Sequence, residues 1–481
     1  MTRPVSSWLN FGHPHHRRHP SGLPMYVSGG LSKTPKSKVL LVTVVGLVLF
    51  AGLYFFRHSS VIQPGDFPLP PLYSYYHQQE LALPQHNPSL PPPEGANARF
   101  LWLPNHVHKL GFGNALQELF LNAHLAYMSG RTFVFDNYTW NRDGGDYTRF
   151  NGKLIPSRIP LTAMIAGPAV GGSFPDDVYA PRAVSKEYFD IRCPNPTTID
   201  KSEVDRIASG DATALTMLQE WQVKLSSAEP CIQVERNAEP LFDYKVFGSL
   251  HRLLSIWPSL SKSPIITGFR WSPLIHAAFD ANLHLIASTS AQVPISHSTS
   301  PNNPYTPIPG LLALHIRRGD YEDHCKFLVK HSSTFTGFNS YPPLIDTFDP
   351  PTDPRWNKAQ RQAHYSAHCF PNIQQIVEKI SKVRRSDAGQ DLREIYIMTN
   401  APRDWVTELK KAIAKAGFWD QITSSRDLDL NWEQKYVAQA VDMLIGQRAQ
   451  VFIGNGFSSL TSNVVMLRLA QDFPHDSIRF W

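Results

Sequence analysis

From about Arg99 onward the sequence predicts an α/β fold built on parallel, doubly wound sheet, in two halves that meet near Ser263-Pro264. Three observations carry this. The runs LLALHI (311–316), EIYIMT (394–399) and VFIG (451–454) are short and mainly apolar and read as buried strands. Amphipathic stretches follow them at about 371–383, 402–415, 432–447 and 460–470, and such alternation makes right-handed crossovers and parallel pairing. With 481 residues, 42% hydrophobic and 18% charged, the chain can bury one large core or two ordinary ones.

The elements read in order as follows. Residues 1–38 are a basic tail in which Arg3, Arg17, Arg18, Lys33, Lys36 and Lys38 precede any acidic residue. Setting these six aside leaves 40 basic residues against 40 acidic ones, so the net charge of +6 belongs to the tail, and no broad nucleic-acid surface is expected. Residues 39–56 (VLLVTVVGLVLFAGLYFF) carry no charge and as a helix would reach about 27 Å, enough for a thin bilayer. The run has no polar stripe, is long for a signal-peptide core and lacks an A-x-A site before Arg57, so an uncleaved anchor is expected. The basic tail would then be cytosolic and the remainder luminal. Residues 57–98 are proline-rich and read as an extended stem, giving a type II layout of the Golgi or endoplasmic reticulum.

The luminal part divides into 99–263 and 264–481. In the first half Leu116, Leu119, Phe120, Ala123 and Tyr127 recur at helical spacing, Gly130 ends that helix, and 132–135 is a strand; about 197–263 reads as more helical. Cys193 and Cys231 fall in the first half, Cys325 and Cys369 in the second, and one bridge per half is the simplest of three connectivities. No C-x-x-C or neighbouring histidine spacing favours a metal. Asn137-Tyr138-Thr139 is a candidate glycosylation sequon.

Three motifs lie where strands end, the place at which such sheets bind ligands. Leu110-Gly111-Phe112-Gly113-Asn114 is a glycine turn feeding a helix; alone it is an ordinary capped turn. His315-Ile316-Arg317-Arg318-Gly319-Asp320-Tyr321 closes LLALHI, with His315 and Arg317 on one face. A buried strand that ends in two arginines needs partners for them: Asp320 or Asp323 would serve one, a diphosphate the other. Val451 to Thr461 (VFIGNGFSSLT) runs from strand through a glycine turn to a helix start, whose free N–H groups and partial positive charge suit a phosphate.

The stretch 437–465, with VAQAVD before FIGNGFSS, resembles the C-terminal donor-binding region of GDP-fucose protein O-fucosyltransferases, and the Gly-Phe-Gly-Asn turn and His-x-Arg match that family's other motifs in order. The resemblance covers about 103–139 and 311–468 with gaps. HIRRGDY is similar also to the motif of glycan-modifying α1,2-fucosyltransferases, which share the glycine-asparagine turn but lack VAQAVD and FIGNGFSS. The resemblance implies a GT-B-like pair of Rossmann-like domains facing a cleft. It also implies that Asp442 accepts hydrogen bonds from guanine N1 and N2, that Arg317 holds the β-phosphate, and that Ser458 and Ser459 complete the diphosphate cradle. His315 would touch the nucleotide, and Gly113 and Asn114 would sit where donor meets acceptor. The chain departs from the family's Gly-Arg-Phe-Gly-Asn by having Leu110-Gly111, and the nearest acid to that turn is Glu118, so no general base is assigned.

The implied reaction is transfer of fucose from GDP-fucose to a protein or glycan hydroxyl, through an oxocarbenium-like state whose leaving diphosphate needs fixed positive charge. The only Asp-x-Asp, Asp427-Leu428-Asp429, reads as loop and capping, so an inverting transfer with no metal or other cofactor is expected. The polar, proline-rich 326–368, bracketed by Cys325 and Cys369, is the candidate acceptor loop. Two readings stay beside this one: a non-catalytic nucleotide- or glycan-binding or scaffold protein of the same fold, and a transferase for another GDP-sugar.

Overall fold

Two five-stranded parallel sheets organise residues Leu69–Trp481, which form one unit. The computed structural model describes residues 69–481 apart from 105, 109, 151, 203–210, 227–228, 236–238 and 288–304. The basic tail and the apolar run 39–56 lie outside the described residues, among which no helix is long and apolar enough to cross a membrane.

After a short helix α1 (Ser74–Leu81), the first sheet takes β1 (Phe100–Trp102), β2 (Thr132–Phe135), β3 (Val184–Ser185), β4 (Thr197–Ile199) and β5 (Cys231–Val234) in the order β3-β2-β1-β5-β4. The second takes β6 (Ile308–Ile316), β7 (Glu394–Thr399), β8 (Gln421–Ser424), β9 (Ala449–Gly454) and β10 (Ile478–Phe480) in the order β8-β7-β6-β9-β10. Every pairing within these two sheets is parallel. Helices that matter for the site are α2 (Phe112–Met128), α3 (Lys186–Arg192), α4 (Tyr321–Lys330), α5 (Lys358–Cys369), α6 (Ile373–Arg384), α7 (Arg403–Ala416), α8 (Ala438–Arg448) and α9 (Ser459–Ala470).

The uninterrupted apolar strands are buried on both faces for a visible reason. Leu312, Leu314 and Ile316 pack with Ile376, Ile380, Leu409 and Ile413 of α6 and α7. Leu311 and Ala313 point the other way, into the core that includes Val441, Leu444, Val464 and Val465 of α8 and α9. Helices on both faces of a parallel sheet are the doubly wound arrangement. In each sheet the first strand sits in the middle and the chain winds outward from it on one side; on the other side the second sheet adds β9 and then β10 outward, whereas the first lays β4 at the edge and then fills β5 in beside β1. The reversal of winding therefore lies between β1 and β5 in one sheet and between β6 and β9 in the other.

Four expectations need correction. The stem is not an extended spacer over 69–98: Tyr73 is buried and its hydroxyl donates to the Glu433 carbonyl at 2.6 Å, Glu80 accepts from Thr162, and Arg182 pairs with Glu94 at 2.7 Å. Proline-rich composition disfavours regular structure without preventing such anchors. The stretch 197–263 contains β4 and β5 besides its helices, strands too short to stand out by periodicity. The helix expected over 432–447 begins only at Ala438, because Asn431 and Gln434 cap one another at 2.9 Å and close a separate turn at Gln434–Tyr436. The segment 326–368 is not a loop throughout: α4 and α5 occupy its ends, tied by the Cys325–Cys369 disulfide, and Phe335, Phe338 and Phe348 in its middle are buried. The second disulfide joins Cys193 to Cys231, so there is one bridge per half.

Candidate functional site

The C-terminal ends of β6 and β9 adjoin at the reversal point of the second sheet, where a doubly wound sheet opens a crevice. The turn after β9 is held from several sides. Asn455 is fully buried; its Nδ2 donates to the Cys369 carbonyl at 2.7 Å and its Oδ1 accepts the Phe457 N–H at 3.0 Å. A Cβ on Gly456 would lie 2.3 Å from the Phe335 ring, so this position admits only glycine without moving a core aromatic. α9 then starts with Ser458 as its N-cap, and no side chain bonds its first N–H groups. Those groups and the helix dipole face the end of the strand, an arrangement that favours an anion.

The first-half motif is delivered to the same place. α2 begins at Phe112 and packs along α9 so closely that a Cβ on Gly113 would stand 2.7 Å from the Leu460 nitrogen and 2.8 Å from Ser459 Oγ. Asn463 Nδ2 donates to the Gly113 carbonyl at 2.7 Å, and Gln117 Nε2 reaches Ser462 Oγ at 3.3 Å. Asn114 is exposed on the first turn of α2. Two stretches about 345 residues apart in sequence thus form one wall of the crevice.

His315 and Arg317 complete the neighbourhood. His315 is buried and its Nδ1 lies 2.7 Å from Thr461 Oγ1; burial first, and Arg317 second, push its pKa down to about 3, so the ring is neutral. The indole Nε1 of Trp481 donates to the His315 carbonyl at 2.8 Å. Arg317 stacks on Tyr321 at 4.8 Å, and the Tyr321 hydroxyl donates to the Phe457 carbonyl at 2.8 Å, which ties the strand end to the glycine turn. The nearest acid to Arg317 is exposed Asp320 at 3.7 Å, and its Nε is buried with no hydrogen-bond partner. Arg318 has a different fate: it lies between the rings of Phe370 and Trp405, 4.2 Å from each, and donates to the Pro371 carbonyl. One arginine is thus consumed by the fold, through stacking and carbonyls instead of an aspartate, while the other keeps donor capacity at the crevice.

Asp442 stands apart from this group. It accepts from Tyr396 Oη at 2.6 Å and from Ser425 Oγ at 3.0 Å, beside the ends of β7 and β8. Burial pushes its carboxyl up to about 6, with these two donors pulling the other way. Its Oδ2 takes only the Ser425 contact and retains an unused lone pair. Sequence reasoning missed Thr461, Tyr321, Tyr396 and Ser425 as supporting residues. Tyr396 could have been found, since a tyrosine in an otherwise apolar buried strand needs a partner for its hydroxyl.

The remaining candidates are placed as follows. Glu118 is buried, and burial, with Asp243 adding to it, pushes its carboxyl well above the ordinary range. Asp427 accepts from the Ser424 N–H at 2.7 Å and hydroxyl at 2.8 Å and pairs with Lys410, while Asp429 is held by Asn282 through backbone atoms. Asn137 is half-buried, with its amide 3.4 Å from Asp136, and the sequon's Tyr138 and Thr139 are buried in a short strand.

Comparison with known proteins adds the following. Residues 269–471 match the family model of GDP-fucose protein O-fucosyltransferase. No curated protein matches the chain in sequence. Among solved structures, POFUT1 in complex with GDP-fucose is similar at 15% identity and a TM-score of 0.45, over 77% of this chain and 95% of that one. NodZ alpha-1,6-fucosyltransferase soaked with GDP-fucose is similar at 12% and 0.35, over 76% and 92%. A mutant of Arabidopsis thaliana FUT1 in complex with GDP is similar at 10% and 0.34, over 86% and 81%. No residue role is transferred from these three. The matched region 269–471, which contains β6 to β9 and all of α9, thus resembles the GDP-fucose protein O-fucosyltransferase family.

Proposed function

We propose that the protein transfers fucose from GDP-fucose to a hydroxyl of a protein or glycan, in a GT-B-like cleft between its two sheets, with inversion and without a divalent cation. The observation that carries this is the convergence on one crevice of Arg317, the start of α9 with Ser458 and Ser459, and the Gly113-Asn114 turn. Arg317 brings a guanidinium whose Nε is not committed to a carboxylate. Placed on the β-phosphate, it and the α9 N–H groups stabilise the charge that grows as the C1–O bond breaks. His315, being neutral, orients without adding charge, and Asp442 offers its free lone pair to guanine.

Inversion follows from a single displacement: the acceptor oxygen attacks C1 opposite the departing diphosphate. Glu118 is buried within α2, where burial favours its neutral form, and no base role is assigned to it. Metal independence is supported by Asp427, whose carboxylate is already engaged by Ser424 and Lys410. The proposal includes an anchor at 39–56 with the catalytic part luminal, in the Golgi or endoplasmic reticulum.

The test is GDP release from GDP-fucose by the full-length protein in excess chelator, with protein and glycan acceptors. Turnover that depends on fucose and survives chelation is expected. GDP binding with no turnover on any acceptor would instead mean a binding protein, and release only with another GDP-sugar would reassign the donor.

A further inference from the structure

The first sheet carries a cavity of its own, of about 240 Å³, at the C-terminal ends of β1, β2 and β3. Trp102, Asp136, Thr139, Arg142, Arg158 and Lys186 line it. Trp102 ends β1, Asp136 follows β2 and Lys186 opens α3 directly after β3, so the sheet itself sets three of the six. The two arginines come from the excursion between β2 and β3. Arg158 donates to the carbonyls of Arg142 and Gly144 at 3.0 and 3.2 Å, and Arg142 donates to the Pro104 carbonyl.

The charge in this cavity is one-sided. Three cationic side chains face a single carboxylate, and Asp136 already accepts the Asn137 N–H at 2.7 Å. Lys186 pairs with Asp190, an exposed residue outside the lining, and sits 4.0 Å over the Trp102 ring. The indole Nε1 of Trp102 is buried and has no hydrogen-bond partner. A buried N–H left unpaired is costly unless a ligand accepts from it. The Arg158 guanidinium, already oriented by two backbone carbonyls, presents its remaining N–H groups to an anion at little further ordering cost.

The cavity is also joined to the crevice described above. At its wall the Thr139 N–H donates to the Val107 carbonyl at 3.0 Å, Tyr138 Oη donates to the Leu110 carbonyl at 2.8 Å, and Phe112 packs edge-on to Tyr138. The loop that ends at Gly111–Gly113 therefore runs from the cavity to the start of α9.

We propose that this cavity seats an anionic sugar unit of the acceptor, one ring bearing a carboxylate or a sulfate, so that the acceptor is an acidic glycan. The inference rests on the donor site assigned under the proposed function. Size favours a sugar over a peptide: the space is below the roughly 300 Å³ at which drug-sized pockets begin, and an extended peptide needs a groove or a sheet edge. Cations and an indole N–H suit the carboxylate or sulfate and hydroxyls of one such ring.

The test titrates short uronate, sulfated-galactose and neutral galactose oligosaccharides, and an oligoglutamate peptide, into the full-length protein with and without saturating GDP. The acidic sugars should bind at least tenfold more tightly than the neutral one and weaken as salt rises; comparing the uronate with the sulfated series identifies the anion. Lys186→Gln and Arg158→Gln should each cost at least tenfold in acidic-sugar affinity and leave GDP affinity unchanged. Arg158→Gln also removes bonds that hold the loop, so Lys186→Gln, which removes one exposed-partner ion pair and no backbone bond, is the second variant, and its melting curve is measured beside its affinity. Equal binding of neutral and acidic sugars, acidic binding that survives both substitutions, or oligoglutamate binding with the same dependence would overturn the proposal. Failure to bind GDP at all would sink the donor reading, and the titration without GDP would still decide the cavity.

Discussion

Arg317 and Arg318 are adjacent and chemically identical, yet only one is available to a ligand. Arg318 is closed in between Phe370 and Trp405, whereas Arg317 keeps a buried Nε with no partner and one distant acid. Arg317→Ala should therefore lower kcat on the order of 10²–10³-fold with an unchanged melting curve, as loss of one charged donor at a leaving group does. Arg317→Lys should recover part of that, because charge returns without the planar fork; equal rates for wild type and Arg317→Ala would remove the residue from its role. Asp442 makes a second prediction, in pH. Its carboxyl titrates at about 6 and must be ionised to keep its unused lone pair open to a guanine N–H, so GDP affinity should fall up to tenfold per pH unit below about 6. The fold responds with the opposite sign: because the folded pKa lies above the unfolded one, this group's stabilising contribution is fullest below the unfolded value and is lost as pH rises through about 6. Asp442→Asn should flatten the low-pH loss of GDP affinity, measured by calorimetry from pH 5 to 8; an unaltered profile would exclude guanine contact. Which arginine is free was not legible in the sequence, since Phe370 and Trp405 reach Arg318 only through the fold.

At the scale of elements, the readable parts were those whose physics is local. LLALHI, EIYIMT and VFIG are buried on both faces and appear in the sequence as short, mainly apolar runs. Asn372, expected inside a helix over about 371–383, is instead its N-cap: it forms a reciprocal capping box with Gln375, and α6 starts two residues later than the pattern indicated. β1, β3, β4, β5, β8 and β10 went unread because strands of two to four residues carry few alternations; β2 is as short and was read because Gly130 ends the helix before it. The contact of α2 with α9 was illegible for another reason: it joins two helices far apart in sequence, and Gly113 looked like an ordinary turn residue. That contact is nevertheless the element-scale key to the site. Gly113→Ala would push a methyl against the Leu460 backbone, which cannot move as a side-chain tip can. A cost of roughly 1–3 kcal/mol in stability is expected, together with weaker GDP binding because Ser459 shifts with Leu460. Full GDP affinity in a protein of unchanged melting temperature would show that the two helices do not need this spacing.

At the scale of the whole molecule, each sheet has one disulfide, and the two bridges are predicted to do different things. Cys193–Cys231 joins the end of α3 to the start of β5 and closes a separation of 38 residues; Cys325–Cys369 joins α4 to α5 over 44. In the chain-entropy account loops of these lengths stabilise by about 4 kcal/mol each, an amount that depends only weakly on the difference between them. Spread over a unit of this size, losing either should lower Tm by about 5 °C. Function separates them. The carbonyl of Cys369 accepts the Asn455 amide, and Asn455 also fixes the Phe457 N–H, so the second bridge supports the turn that opens α9. Cys193 and Cys231 pack with Phe100, Val134 and Tyr188, on the β1–β3 side of the first sheet. Paired serine substitutions at Cys193 and Cys231 should thus lower Tm and leave GDP affinity unchanged, whereas the pair at Cys325 and Cys369 should lower both. Melting curves with and without saturating GDP resolve the two effects, since the shift produced by a ligand measures its affinity for the folded state. An equal GDP-induced shift in both double variants would mean that the Asn455 latch holds the turn without the bridge behind it.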